Sequence, residues 1–289
     1  PEEAVMRAAV LGSPISHSKS PDLHRAAYRA AGLDWTYEAI DVDSAQLPGF
    51  LSGLGEDWAG LSLTMPLKET VLELVDSISA TVRATRAANT LVFAAAPGRE
   101  IYRGTAGASE GGAVAHNTDV DGIVAAIRES TGQSFRPRNV AVLGAGATAR
   151  SATVAAARLG AEQVRVHARR PAVAEASLAD VAAASGVPLA VLPWADAPAA
   201  ARADLVISTV PTGVTAELAE EISRGRAPSG VLLDVVCHPW PTPLAQAWTG
   251  ANGTAVSGLL MLLHQAAEQV RLMAGINPDT AAMREAVGL

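Results

Sequence analysis

The sequence predicts a two-domain α/β protein whose second half is a doubly wound parallel sheet. Three observations predict it. The stretch from Asn139 to Ala156 reads as strand, tight turn and helix: an apolar run, Val140 to Leu143, then Gly144-Ala145-Gly146-Ala147-Thr148-Ala149, then an alanine-rich segment. Apolar runs of strand length then recur from Gln163 to Val236, each followed by a helical pattern, and that alternation builds a parallel sheet. Finally, 289 residues suffice for two domains with separate cores.

Composition narrows the class. Hydrophobic residues make up 49% and charged residues 18%, so the chain is globular rather than disordered. Net charge is −7 and no Lys/Arg cluster is dense, which argues against nucleic acid as a partner. The single cysteine, Cys237, excludes an intrachain disulfide and fits a reducing compartment. No apolar run is long enough for a bilayer and no signal-peptide pattern stands at the start, so a soluble cytoplasmic protein without a membrane partner is expected. A monomer and a homodimer are equally compatible with the sequence.

In the glycine loop each small residue has a separate reason. Gly144 permits the tight turn, Gly146 leaves room for a pyrophosphate against the backbone, and Ala149 lets helix and strand pack closely. Ala145 and Ala147 complete the loop, and the N–H groups of the helix start favour an anion. An NAD-type domain needs an acid at the end of the second strand. Here Gln163–His167 ends in Ala168-Arg169-Arg170, and two arginines suit the 2′-phosphate of NADP.

Taken in order, the chain opens with a strand at Ala8–Leu11. Gly12-Ser-Pro-Ile-Ser16-His17-Ser18-Lys-Ser20-Pro21 follows, kept irregular by Pro14 and Pro21. Ser20 is placed to cap a helix running to about Ala31. Ser16 and Ser18 either satisfy local backbone or hold a carboxylate. A strand from Thr36 to Val42 and a short helix from Ala45 to Gly53 come next. Alternation over Leu61, Leu63 and Met65 predicts a strand ended by Pro66, after which Lys68 opens a helix to about Val75. A lysine in a first helical turn opposes the helix dipole. Asn89-Thr90 leads into an apolar run, Leu91–Ala96. The Gly/Ser-rich segment Pro97–Ala115 reads as a mobile hairpin or loop. Asn117-Thr118-Asp119 introduces a helix from about Val120 to Thr131, and Asn117 or Asp119 serves by default as its cap.

Beyond the glycine loop, strands are expected at Leu189–Leu192, Leu205–Ser208 and Val231–Val236. Cys237-His238-Pro239-Trp240-Pro241-Thr242-Pro243 is too proline-rich to be regular, and Thr242 can cap a helix from Pro243. Cys237 and His238 lack a second cluster at ligand spacing, so no metal is expected. A helix from about Leu259 to Ala274 follows Ser257-Gly258, and a short one starts at Asp279. Gln265 stands among apolar neighbours there, to be satisfied by backbone if it has no ligand.

Jointly these segments resemble the shikimate dehydrogenase family along nearly the whole chain. The marks are Gly12 through Pro21, Thr64-Met-Pro66-Leu-Lys68, Ala88-Asn89-Thr90, Asn117-Thr118-Asp119 with Gly122, and Gly258 through Met261-Leu262 to Gln265. The resemblance implies NADP-linked interconversion of 3-dehydroshikimate and shikimate, in aromatic amino-acid biosynthesis. It also implies a substrate domain at 1–118, a Rossmann-type NADP domain at 119–256, and C-terminal helices at 257–289 returning to the first. By position, Ser16, Ser18 and Thr64 would hold the substrate carboxylate. Lys68, Asn89, Asp119 and Gln265 would bind ring hydroxyls, with Lys68 and Asp119 as the catalytic pair. Gly258 and Met261 would lie near the nicotinamide.

Four departures stand out against that family. Ser62 replaces a common Asn, and Cys237 replaces a tyrosine that usually contacts substrate. Ala168-Arg169-Arg170 replaces Asn-Arg-Thr, with Val173 in place of a further arginine. The segment before Asn117 is longer than usual. Two competing readings are a quinate/shikimate dehydrogenase preferring NAD, which Arg169 and Arg170 oppose, and a non-catalytic NADP sensor, which the retention of Lys68 and Asp119 opposes.

Overall fold

The computed structural model describes residues 5–93, 112–225 and 228–289. The chain divides into two compact units, Pro1–Thr118 with Gln265–Leu289, and Asp119–His264.

The first unit begins β1(Arg7–Gly12), α1(Ser20–Ala30), β2(Thr36–Asp41), α2(Leu47–Ser52), β3(Trp58–Leu63) and α3(Leu67–Thr70). A 3₁₀ turn, Val71–Glu73, continues α3, and β4(Ser77–Ile78), α4(Ala80–Thr85), β5(Thr90–Val92) and β6(Val114–His116) complete it. The sheet order is β2-β1-β3-β5-β6-β4. β1 runs parallel to β2 and β3, whereas β5 is antiparallel to β3 and β6, so this sheet is mixed. Every residue of β3 is buried, because it lies between β1 and β5 with both faces covered. The strand read over Leu61, Leu63 and Met65 is therefore a centrally buried one that runs from Trp58 only to Leu63, leaving Met65 outside it and exposed. Leu11, Leu47, Leu61, Leu67 and Leu91 meet in one core cluster.

Several boundaries differ from expectation for local reasons. Ser20 lies inside α1, and Lys19 holds the cap position without a side-chain cap bond. Asn117 is tied to the preceding segment, its Nδ2 donating to Thr85 Oγ1 (3.1 Å) and the Ala87 carbonyl (2.9 Å). Residues 94–111, the end of the apolar run from Leu91 and most of the segment Pro97–Ala115 read as a loop, lie outside the described residues, and Val114–His116 is a strand.

The second unit runs α5(Asp119–Thr131), β7(Asn139–Leu143), α6(Ala147–Leu159), β8(Gln163–Ala168), α7(Pro171–Ser185) and β9(Leu189–Pro193). It continues β10(Leu205–Ser208), α8(Ala216–Ser223), β11(Val231–Asp234), α9(Pro243–Gly250) and β12(Thr254–Ser257). The order β12-β11-β10-β7-β8-β9 is parallel throughout, with its reversal between β7 and β10. That is the doubly wound arrangement expected from the strand–helix alternation, and the reversal is where such sheets take a dinucleotide. Trp248 anchors the core of this unit: it is fully buried, and its Nε1 donates to the Gly230 carbonyl at 3.0 Å.

α10(Gly258–Ala274) and α11(Thr280–Val287) end the chain. α11 packs on α1. The change of unit falls within α10, between His264 and Gln265. Its start is held by the second unit, since a Cβ at Gly258 would collide with the Val235 backbone. No helix among the described residues is long and apolar enough to cross a membrane.

Candidate active site

In the first unit the candidate residues gather at the carboxyl ends of β1 and β3. The turn after β1 is tied to the segment after β3 by backbone bonds: Ser13 N–H donates to the Met65 carbonyl (3.1 Å), and Thr64 N–H to the Leu11 carbonyl (2.9 Å). Gly12 has no room for a side chain, since a Cβ there would meet Thr64 Cγ2 and, at 2.9 Å, the Met65 carbonyl. That close approach brings the serine turn beside Thr64. Ser16 is exposed, Ser18 and Thr64 are half-buried, and Ser18 Oγ accepts from Ser20 N–H at 3.3 Å. Lys68 is the second residue of α3 and half-buried, and its carbonyl accepts from Ala88 N–H at 2.8 Å. The backbone of Lys68 is thus fixed next to Asn89.

Asn89 is the centre of a buried polar knot. Its Oδ1 accepts from Thr118 N–H (2.8 Å) and Thr90 Oγ1 (2.9 Å). Its Nδ2 donates to Thr118 Oγ1 (2.9 Å) and to Gln265 Oε1 (3.1 Å). Asn89, Thr118 and Gln265 are all at most 5% exposed. Burying unpaired amides costs several kcal/mol, so this mutual satisfaction is what allows three polar side chains to sit there. Asp119 follows Thr118 directly as the first residue of α5 and is itself buried.

In the second unit the glycine loop joins β7 to α6. Gly144 has φ +103°, and a Cβ on it would meet Thr209 Oγ1 at 2.7 Å and Val210 Cγ1 at 2.8 Å. Gly146 caps α6 with ordinary extended backbone (φ −86°, ψ −168°), yet a Cβ there would meet nothing within 4 Å. Neither strain nor packing within the chain requires glycine at 146. Ala145 and Ala147 are half-buried and Ala149 is fully buried, pressed between helix and sheet. Arg169 and Arg170 are exposed just past β8, and Arg170 stands at the cap of α7. The loop and both arginines therefore lie at the carboxyl ends of adjacent parallel strands.

The proline-rich loop is clamped at both ends by Asp234, the last residue of β11. Its Oδ1 accepts from Val236 N–H (3.3 Å) and its Oδ2 from Thr242 Oγ1 (2.8 Å). Thr242 caps α9 as expected, accepting from Ala245 N–H at 3.1 Å. Burial raises the Asp234 carboxyl above its ordinary value, against the lowering pull of Thr242. Burial also pushes the Cys237 thiol up to about 11, and its Sγ donates to the Val235 carbonyl at 3.8 Å. A neutral thiol is a poor substitute for a tyrosine hydroxyl. Met261, one turn into α10, is buried.

Residue-by-residue reading missed what lies beneath Asn89. Gln269 is fully buried, and its Nε2 donates to the Asn89 carbonyl (3.1 Å) and Thr90 Oγ1 (2.9 Å). Ser62, the departure from the usual Asn, donates to Gln269 Oε1 at 2.9 Å and accepts from Tyr37 Oη at 2.6 Å. The available signal was the spacing of Gln265 and Gln269, two amides one turn apart on an otherwise apolar helix.

Comparison with known proteins bears on the family. Residues 10–91 match the shikimate dehydrogenase substrate binding domain, and 258–287 the shikimate 5′-dehydrogenase C-terminal domain. Residues 139–238 match the NADP oxidoreductase, coenzyme F420-dependent family. The NADP⁺ shikimate dehydrogenase of Rubrobacter xylanophilus is 33% identical, over 96% of this chain and 94% of its own. The crystal structure of Mycobacterium tuberculosis shikimate dehydrogenase superposes with a TM-score of 0.82 at 40% identity, covering 98% of this chain and 99% of that one. A Thermus thermophilus shikimate 5-dehydrogenase in complex with NADP(H) and shikimate gives a TM-score of 0.76 at 29% identity, covering 98% of this chain and 99% of that one. The chain belongs to the shikimate dehydrogenase family.

Proposed function

We infer that the protein interconverts 3-dehydroshikimate and shikimate with NADP. The observation that carries this reading is the buried knot of Asn89, Thr118 and Gln265 at the carboxyl end of the first sheet, chemistry suited to a polyhydroxylated ring. Gly146 supports the cofactor, because its vacant Cβ position leaves space at the start of α6 for a pyrophosphate to lie against the loop. Gly144, Ala145, Gly146, Ala147 and Ala149 would shape the pyrophosphate site. Arg169 and Arg170 would take the 2′-phosphate, and Gly258 and Met261 would border the nicotinamide.

Ser16, Ser18 and Thr64 offer hydroxyl donors to the ring carboxylate. Asn89 and Gln265 hold ring hydroxyls, orienting the reacting carbon. NADPH, when bound, would supply the hydride. Lys68 would give a proton to the substrate oxygen as it gains alkoxide character, and its charge would stabilise that oxygen beforehand. By the family resemblance, Asp119 would act with Lys68 as its catalytic partner. In the oxidative direction the same lysine removes the hydroxyl proton.

The test is NADPH and NADH absorbance with shikimate and quinate, each against NADP and NAD. Fast reduction for shikimate with NADP alone agrees with this reading. Preference for NAD with quinate replaces it by the quinate/shikimate enzyme, and binding of NADP without turnover on either acid by a sensor.

A further inference from the structure

The hydrogen bonds around Asn89 have a direction that two backbone groups impose. Thr118 N–H can only donate, so the atom of Asn89 facing it must be Oδ1. Nδ2 then faces Gln265, whose nearest atom must be Oε1. On the other side the Asn89 carbonyl can only accept, so Gln269 must turn Nε2 to it and Oε1 away. That Oε1 receives Ser62 Oγ and His24 Nε2 at 3.2 Å, so the imidazole carries its proton on Nε2. His24 Nδ1 is left to accept from Tyr28 Oη at 3.2 Å. Tyr37 stacks on the His24 ring, with centroids 3.9 Å apart, and donates to Ser62. Burial holds the imidazole neutral, its pKa pushed down to about 3. One consistent polarity thus runs from Tyr28 and Tyr37 through Gln269 to Asn89 and Gln265.

We propose that Gln269 is a positioning residue for the substrate: Thr118 N–H sets which way the Asn89 amide points, and Gln269, by donating to the Asn89 carbonyl and Thr90 Oγ1, holds the Asn89 backbone and the Thr90 hydroxyl in place, and so where Asn89 and Gln265 present their amides to the ring hydroxyls. The geometry is compact. Gln265 and Gln269, on one face of α10, grip the side chain and the backbone carbonyl of the same residue. Thr90, which receives one Gln269 hydrogen, passes its own to Asn89 Oδ1, closing a ring of bonds. Without the Gln269 donors the Asn89 carbonyl loses its partner on that side and the Thr90 hydroxyl its fixed sense, so Asn89 shifts even though Thr118 N–H still orients its amide. The proposal rests on the reading that Asn89 and Gln265 bind substrate.

The experiment is steady-state kinetics and thermal melting of the full chain for Asn89→Ala, Gln269→Leu and the double variant. Gln269→Glu is included because it keeps volume and both Oε1 partners while reversing polarity toward Asn89. The expected result is a shikimate KM raised about tenfold or more in each Gln269 variant that folds, with the NADP KM nearly unchanged. The double variant should be scarcely worse than Asn89→Ala, because Gln269 acts through Asn89. Lowered melting temperature with normal shikimate KM in the Gln269 variants, while Asn89→Ala is impaired, overturns the positioning role alone. Multiplicative losses in the double variant overturn it as well. A normal shikimate KM in Asn89→Ala overturns the site reading and the positioning role together.

Discussion

Gly144 and Gly146 stand two residues apart and are glycine for opposite reasons. A side chain at 144 would strike Thr209 and Val210 and would sit at φ +103°, whereas one at 146 would enter empty space. The first glycine is demanded by the fold, whereas packing within the chain leaves room for a side chain at the second. Gly146→Ala should therefore melt within about a degree of wild type while NADP binding weakens about tenfold or more. Gly144→Ala should lose about 1–3 kcal/mol of stability from strain and crowding. Calorimetric melting paired with NADP titration checks both. Equal NADP affinity in Gly146→Ala would remove the ligand from that space.

Arg169 and Arg170 are exposed at the end of β8, where an acid would serve NAD. A charge-assisted bond to the 2′-phosphate contributes about 1.5–3 kcal/mol, so Arg169→Ala should weaken NADP about tenfold or more and leave NAD unchanged. Titration with both dinucleotides decides the point. Equal losses for the two would show that Arg169 does not discriminate between them.

His24 makes stability depend on acid. Its folded pKa, about 3, lies below the ordinary 6.5, so between those values the unfolded chain binds the extra proton. The contribution of neutral His24 is complete above pH 6.5 and is lost as pH falls toward 3. Inside that window stability should drop by about 1.4 kcal/mol per pH unit from this group. Urea unfolding of wild type and His24→Gln at several pH values isolates it. Parallel stability curves for the two proteins would mean His24 titrates alike folded and unfolded.

The second unit was the more legible half because its signals are local. A strand, a glycine turn and an alanine-rich helix lie within 139–156, and β10 falls on the apolar run Leu205–Ser208 that predicted it. β4 and β12 went unread. β4 has two residues, and the four of β12, Thr254–Ser257, include a single fully buried side chain, leaving almost no pattern to detect. In the first unit, β3 was misjudged as alternating because its burial on both faces comes from distant neighbours. The knot beneath Asn89 was illegible for the same reason: His24, Ser62, Asn89 and Gln269 meet across as many as 245 positions. Family resemblance singled out Asn89 and Gln265, but only the fold shows Gln269 bonded to the Asn89 carbonyl and Thr90.

Shikimate oxidation by wild type and Lys68→Met, followed as NADPH absorbance, tests the central claim most directly. General acid–base help of this kind contributes roughly a hundred- to ten-thousandfold in rate. Wild type should reduce NADP with shikimate, and Lys68→Met should fall in kcat by that factor with little change in shikimate KM, because the methionine keeps the bulk and loses the proton. Asp119→Asn should also lower kcat, and the double variant should lose less than the product of the two single losses. An inert wild type that nonetheless binds NADP would contradict the enzyme, and a Lys68→Met variant at wild-type kcat with hydride transfer rate-limiting would contradict the proton donor.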